Sequence, residues 1–432
     1  MATLLKEIKL IKAENGTDPK TGKQMNSYKY WTGRLFDDDS WTAEWGRVGC
    51  ANPDSGTWNG TNKFESKVRE KLSDKKGYTE VKTVGAAVIN QSYGSAVKDR
   101  DLHNIAKSQL LKVSNPTLER LIKRFVDANV HKITSATQIT YNSTTGLFAT
   151  PLGVVTIEGL TEARTLLAEI APLVRARKFG TQVDQLLCKY LRIIPQSLGM
   201  RRFTTETVIP DDNAVQKQND LIDSLESSYQ ATISAPPSST INTPAKTQEQ
   251  VFKVDLDVLT DQTERNRLDR FYEQSKKRMH NYDNVRVKEI FKVTIHDMNT
   301  GFERKTVPIE EVFHGTSQAN CLSILKSGLK VSPPSTAAIA GKMFGNGVYG
   351  AKNSTKSLGY SMGRWGQGGV GDSGWLFICD FAMGKTEVVH SSCNPSRGYD
   401  SIWAKAGSSL SNDELIVYRN SQVTIKYLLE CK

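Results

Sequence analysis

Hydrophobic positions change their spacing along the chain, and the changes mark out its parts. Over residues 1–95 the spacing is two: Leu5 to Ile11 opens an alternating run, Tyr28 to Leu35 is a second, and Trp41 to Gly49 a third, with turn chemistry at Asp37 to Ser40. Alternation of this kind predicts short antiparallel strands with one buried face. At Lys63 to Lys76 the spacing lengthens, so that Phe64, Val68 and Leu72 fall on one helical stripe and Gly77 supplies a stop.

Helical spacing then persists over residues 96–230. Ser114-Asn115-Pro116 introduces a helix with Leu118, Leu121, Ile122 and Phe125 on one stripe, and the runs TEARTLLAEIAPLVRAR and TQVDQLLCKYLRIIP repeat the pattern. An all-α helical bundle is the economical reading. Residues 231–250 are rich in Pro, Ser, Thr and Ala without periodicity, which is the composition of a linker. Over 251–432 the strand-like runs VFKVDLDVL, VRVKEIFKVTIH and WLFICDF alternate with few long helices, predicting an α+β, mainly antiparallel domain. The expected protein is therefore multidomain: a small α+β domain, a helical bundle, a linker and a larger α+β domain.

Composition narrows the partners. A net charge of +11 suits a polyanion such as nucleic acid, and equally a mixed, hydrated surface. The 6 cysteines are too scattered for a Cys-x-x-Cys pair, so no metal site and no disulfide framework is expected, and a reducing compartment fits. Lys6, Glu7, Lys9 and Lys12 interrupt the first residues, unlike a signal peptide, and no run approaches the ~20 apolar residues that span a bilayer. An intracellular protein with no membrane partner is expected. Ser275-Lys276-Lys277-Arg278 has the charge of a weak nuclear import patch, or of a solvated helix face.

The chemistry gathers near the C-terminus. Gly341, Gly345, Gly347 and Gly350 make a glycine-dense turn that lets another molecule approach the main chain. Ser354 or Thr355 can cap a short helix in which Ser357 and Tyr360, three residues apart, share a face. That face offers a hydroxyl and an aromatic ring, as a flat ring bearing an amide requires. His314-Gly315-Thr316 follows a short strand and precedes a helix that stops at Gly328, and Glu414 opens an apolar strand. Gly345 to Gly350 also satisfies G-x-G-x-x-G, but its extended piece lies inside the motif and no βαβ series surrounds it, which excludes a dinucleotide-binding dehydrogenase.

HGTSQAN from His314, GKMFGNGVYGAKNSTKSLGYS from Gly341 and NDELIVYRNSQVTIKYLLE from Asn412 together resemble the catalytic domain of the poly(ADP-ribose) polymerase family. Trp45-Gly46-Arg47 with the helix after it resembles that family's WGR domain, and YLRIIPQSLGM from Tyr190 resembles its helical regulatory domain. The resemblance implies an ADP-ribosyltransferase that uses NAD as substrate and no metal. It assigns His314, Tyr349 and Glu414 to catalysis, and His314, Gly315, Thr316, Asn320, Lys330, Tyr349, Ser357 and Tyr360 to NAD. On the acceptor side it puts Lys356 and Met343. Trp45 and Arg47 would meet DNA ends or breaks, with Lys67, Lys71, Lys75 and Lys76 adding basic surface, and Asp220 and Asp223 would face the cleft from the last regulatory helix. Protein acceptors, the chain itself included, and a nuclear location follow from the same resemblance. Lys342, Asn346 and Gly350 replace the Tyr, Lys and Phe of the better-known polymerases, and the stretch Lys405 to Asp413 is short. These departures leave two alternatives beside polymer formation: transfer of single ADP-ribose units, or a DNA-end binding protein with a degenerate transferase domain.

Overall fold

The alternation at the start of the chain extends well past Ile11. The computed structural model describes residues 2–18, 20–81, 102–111, 114–136, 140–142, 147–150, 152–196, 198–199, 202–233, 252–331, 343–363, 373–407 and 410–432. In it β1 (Leu4–Thr17) pairs antiparallel with β2 (Gln24–Phe36) along its whole length. With β3 (Ser40–Arg47), β4 (Asp54–Asn59) and β5 (Thr79–Glu80) they form a sheet in the order β4-β3-β2-β1-β5.

One face of this sheet packs Ile8, Leu10, Trp31 and Trp41 against Phe64 and Val68 of the helix Thr61–Leu72. Leu72, predicted on the same stripe, is instead 40% exposed, because the helix ends at that residue and its last turn passes beyond the core. The helix also starts at Thr61, ahead of the predicted Lys63. Asp39 from the turn between β2 and β3 accepts from the Thr61 amide at 2.7 Å and its hydroxyl at 2.6 Å, replacing the cap that Gly60 lacks.

The helical spacing produces the helices Leu102–Leu110, Pro116–Ala136, Ile157–Arg175, Thr181–Ile193 and Asp212–Ile233. Asn115 caps the second, accepting from the Thr117 amide at 2.9 Å, and Leu118, Leu121, Ile122 and Phe125 are buried as predicted. Two features depart from a single all-α bundle. A small antiparallel sheet of β6 (Thr140–Asn142), β7 (Leu147–Thr150) and β8 (Gly153–Val154) lies among the helices, in runs too short to reveal a period. The chain also divides into two compact units, one with described residues from 2–81 and 133–229 and the other with those from 102–132, 230–233 and 252–432, so the helical region is shared between them. Most of the predicted linker lies outside the described residues.

Within the first unit, the buried carboxylate of Asp184 holds three donors: Asn15 Nδ2 at 3.0 Å, the Thr205 amide at 2.6 Å and the Thr205 hydroxyl at 2.7 Å. Tyr28 hydroxyl donates to the Leu191 carbonyl at 3.1 Å. Strand β1, strand β2 and the helix Thr181–Ile193 are thereby fixed as one body. A carboxylate so fully bonded offsets its desolvation, whereas a bare one would not.

The second unit contains two sheets. β9 (Val254–Val258), β10 (Val287–Ile295), β11 (Ile309–Thr316), β13 (Gly374–Ala382) and β17 (Val423–Cys431) make an antiparallel sheet in the order β11-β13-β17-β10-β9. β12 (Val348–Gly350), β14 (Thr386–Val389), β15 (Ser401–Ala404) and β16 (Glu414–Val417) make the other in the order β12-β16-β15-β14, in which β14 and β15 run parallel. A bridge joins the sheets: Phe313 and Ala351 exchange backbone hydrogen bonds of 2.8 and 2.9 Å. From the helix Pro116–Ala136, Phe125 meets Trp375 edge-on at 4.7 Å and Arg124 pairs with Glu430 at 2.5 Å. Among the described residues no helix is long and apolar enough to cross a membrane.

Phe64→Ala should destabilise the first unit by about 3–5 kcal/mol, the usual cost of emptying a buried aromatic site. Leu72→Ala should cost about 0.5 kcal/mol or less. Chemical unfolding followed by tryptophan fluorescence measures both, and equal effects would contradict the packing described.

Candidate active site

β11 ends on His314-Gly315-Thr316, which pair with Phe377, Leu376 and Trp375 of β13. A Cβ added to Gly315 would stand 1.7 Å from the Ser357 carbonyl oxygen, far inside the closest contact a carbon and an oxygen can make without bonding. Only glycine lets the helix Ser354–Met362 lie this close to the strand. Ser357 hydroxyl, itself buried, then donates to the Phe313 carbonyl at 3.1 Å. Neither Ser354 nor Thr355 caps this helix: Asn353 occupies the cap position without a side-chain capping bond, its side-chain amide donating instead to the Ser275 carbonyl at 3.1 Å, and the Ser354 hydroxyl is drawn to the Tyr272 carbonyl at 2.9 Å. Ser357 and Tyr360 also differ in exposure, Tyr360 being 39% exposed while Ser357 is buried.

His314 Nδ1 lies 2.9 Å from the Tyr349 carbonyl. A carbonyl only accepts, so Nδ1 carries the proton, and in the neutral ring Nε2 is left as an acceptor for a hydroxyl. Burial holds the His314 pKa below its ordinary value of 6.5, against a smaller opposing effect of the Tyr349 carbonyl. Tyr349 is fixed at both ends of its residue: its strand pairs with β16, opposite Ile416, and its hydroxyl donates to the Gly345 carbonyl at 2.8 Å while accepting from the Phe344 amide at 3.0 Å. Burial, and to a lesser degree the Glu414 charge, push the phenols of Tyr349 and Tyr360 well above the ordinary range, so both stay protonated.

Glu414 is the first residue of β16 and is 7% exposed. Its Oε1 meets Lys356 Nζ at 2.6 Å, and the same ammonium donates to the Asn412 carbonyl at 3.2 Å. The carboxylate thus sits in a low-dielectric wall where its charge is felt by the neighbouring phenols. Such a group stabilises positive charge that develops on a bound ligand.

The structure brings His314, Gly315, Tyr349, Lys356, Ser357 and Glu414 onto adjoining strand ends and one helix. Thr316 accepts from Asn320 Nδ2 at 3.3 Å, and Lys132 donates to Asn320 Oδ1 at 3.0 Å. Lys330 is exposed beyond the stop at Gly328, and Met343 packs on the cluster of Phe344, Ile402 and Ile416. Gly341 and Lys342 of the glycine-dense turn lie outside the described residues. In the first unit, Trp45 borders a groove of about 690 Å³ with Trp41, Trp58, Lys67 and Lys71, while Arg47 Nε donates to the Gly199 carbonyl at 2.9 Å. Asp223 pairs with Arg164 at 2.6 Å, and Asp220 accepts from Gln216. Lys276 of the basic run is turned inward, its side chain 9% exposed and bonded to the Val285 carbonyl at 2.7 Å. The sequence reading assigned no role to His280 and Asn412, which meet beside this site at 2.9 Å although 132 residues separate them. No spacing rule links such distant positions.

Residues 262–408 match the sequence profile of the poly(ADP-ribose) polymerase catalytic domain, a match that ends just before Glu414. The chain is 23% identical over 401 residues to poly [ADP-ribose] polymerase 2 of Arabidopsis thaliana, covering 87% of this chain and 61% of that protein. It is 30% identical over 130 residues to the poly [ADP-ribose] polymerase-like 100L of invertebrate iridescent virus 6, covering 27% of this chain and 68% of the viral protein. It is also 27% identical over 156 residues to the human protein mono-ADP-ribosyltransferase PARP3, 28% of each chain.

Two outcomes follow from the geometry. Gly315→Ala should push the helix Ser354–Met362 off β11 and reduce ligand binding at this site by ~100-fold or more, because the clash is with backbone; calorimetric titration with benzamide, a ring bearing an amide, measures it. Because the folded-state pKa of His314 is lowered, its contribution to stability is present above pH 6.5 and is lost as pH falls through the lowered value. The acid limb of stability that disappears in His314→Gln should therefore lie below pH 6.5, as unfolding followed against pH measures; a limb centred above that pH would contradict the burial argument.

Proposed function

The chain belongs to the poly(ADP-ribose) polymerase family, and from that membership and the geometry above we propose that it cleaves NAD and transfers the ADP-ribose unit to protein side chains, its own included, in response to DNA ends. The observation that carries the reading is the buried Glu414 carboxylate, anchored by Lys356 on a strand whose neighbour carries Tyr349, whose own carbonyl holds His314. NAD suits this wall. Its nicotinamide ring is a flat amide that the Gly315 main chain and the Ser357 hydroxyl can hold and the rings of Tyr349 and Tyr360 can flank, and a ribose hydroxyl matches the acceptor at His314 Nε2.

In the reaction the bond between the ribose and nicotinamide breaks, its electron pair leaves with nicotinamide, and positive charge develops on the ribose. Glu414 stabilises that charge. The same carboxylate takes the proton of the acceptor hydroxyl as its oxygen bonds to the ribose carbon. Lys356 and Met343 belong to the acceptor side of this reading. Transfer of single units is the favoured alternative to polymer, because Asn346 and Gly350 stand where the better-known polymerases have Lys and Phe, and two human relatives are named mono-ADP-ribosyltransferases.

The DNA part of the proposal draws support from two features: the net charge of +11, and the groove that combines Trp45 and Trp58 with Lys67 and Lys71. Tryptophan faces stack on sugars or bases and ammonium groups track phosphates. Trp45 and Arg47 are the proposed contacts to the strand end, Asp220 and Asp223 the proposed regulatory positions, and nuclear residence follows from the DNA partner.

The test is nicotinamide release from NAD by the purified chain, with and without a short duplex. Glu414→Ala should lower release by ~100- to 1000-fold, the usual loss when an electrostatic stabiliser of the transition state is removed. Arg47→Ala should cut the stimulation by duplex and reduce the salt dependence of duplex binding by about one phosphate contact. Denaturing electrophoresis then separates a ladder from a discrete shift. Unchanged release in Glu414→Ala would overturn the catalytic reading, and equal release with and without duplex would remove the DNA switch.

A further inference from the structure

His280 lies in the one-turn helix Arg278–His280, far in sequence from every residue named in the proposed reaction, yet it is only 2% exposed and both of its ring nitrogens are engaged. Nε2 stands 2.9 Å from Asn412 Nδ2, and Nδ1 stands 2.9 Å from the Thr355 hydroxyl oxygen. An amide nitrogen donates, so Nε2 accepts and Nδ1 bears the proton. Thr355 agrees with this: its oxygen also accepts from the Lys277 amide at 2.9 Å, and its own hydrogen is directed to the Lys277 carbonyl at 3.4 Å. The ring therefore forms a defined link between two segments that do not adjoin in sequence.

What those segments carry gives the link its meaning. Thr355 sits in the helix Ser354–Met362, immediately before Lys356 and Ser357. Asn412 sits two residues before Glu414, and its carbonyl accepts from Lys356 Nζ at 3.2 Å while that ammonium pairs with Glu414 at 2.6 Å. The contacts close a ring, from Thr355 through His280 to Asn412, on to Lys356 and back along the helix to Thr355, with Glu414 held on the same Lys356 ammonium. Thr355, Asn412, Lys356 and Glu414 are each less than 8% exposed, so water does not compete for these bonds.

We infer that His280 is a positioning residue for Glu414: it ties the loop that delivers the carboxylate to the helix that holds the nicotinamide side of the cleft, so that the distance between them is set before a ligand arrives. The inference rests on the transferase reading proposed above. A buried hydrogen-bonded link of this kind acts on the reacting geometry more than on ground-state binding, because substrate binding uses Gly315, Ser357 and His314, which do not touch His280. Its loss should therefore appear in kcat and leave KM for NAD nearly unchanged.

The experiment is steady-state nicotinamide release by the full chain and by His280→Ala, His280→Gln, Asn412→Ala and the double variant His280→Ala with Asn412→Ala, beside Glu414→Ala as control. His280→Ala should lower kcat about 10-fold or more with KM for NAD within about twofold. Glutamine, which can still accept from Asn412, should recover part of that loss. The double variant should be no slower than the slower single, since both remove one link. Circular dichroism checks each fold, and should His280→Ala fail to fold, His280→Gln and Asn412→Ala carry the same kcat and KM comparison. Multiplying losses, a KM that rises as kcat falls, or full activity in His280→Ala while Glu414→Ala is inactive would overturn the positioning role alone. Absence of release by the unsubstituted chain, or unchanged release in Glu414→Ala, would overturn the transferase reading and the positioning role with it.

Discussion

The contact on which the site depends is the ion pair between Lys356 and Glu414. Two charges less than a tenth exposed and 2.6 Å apart are favourable only where their lost hydration is matched by close geometry and by further hydrogen bonds. Lys356 has such a bond in the Asn412 carbonyl, and Glu414 is held by its place at the start of β16. The pair joins the helix Ser354–Met362 to the smaller sheet. The larger sheet meets the same helix at Gly315, where the absence of a side chain is obligatory. Helix and sheets are thereby clasped from two sides, with the Phe313 to Ala351 bridge closing the gap between the sheets.

The rest of the second unit supports that clasp. Phe271 stacks on Phe313 at 4.6 Å just behind His314, and the exchange of hydrogen bonds between β12 and β16 sets Tyr349 opposite Ile416. His314 and Tyr349 come from strands in different sheets, and a single ring-to-carbonyl bond at 2.9 Å joins them. The first unit is built by a different device: the buried Asp184 gathers donors from β1 and from the Thr205 turn.

Much of this was legible in the chain. Spacing of two located β1, β2 and β3, strand-like apolar runs located β9, β10 and β13, and spacing of 3.6 located the long helices; β13 shows no alternation because it is buried on both faces. The order of His314, Tyr349 and Glu414 pointed to one site. What escaped the sequence has physical causes. β6, β7 and β8 are two to four residues long and show no period. The helix cap at Thr61 comes from Asp39 across a turn, and the Ser354 hydroxyl abandons its cap for the Tyr272 carbonyl; both are tertiary choices that local propensity does not see. His280 and Asn412 carry no motif, and their pairing exists only once the two segments fold together.

The central claim is that this wall holds a nicotinamide-bearing dinucleotide with its glycosidic carbon facing Glu414. The most direct measurement is a crystal structure of the chain with a dinucleotide in which a carbon-linked benzamide replaces the cleavable nicotinamide. The account predicts the carboxamide on the Gly315 main chain and Ser357, a ribose hydroxyl on His314 Nε2, and the ribose carbon within reach of the Glu414 carboxylate. A ligand bound elsewhere, or one seated here with Glu414 turned away from the ribose, would contradict it.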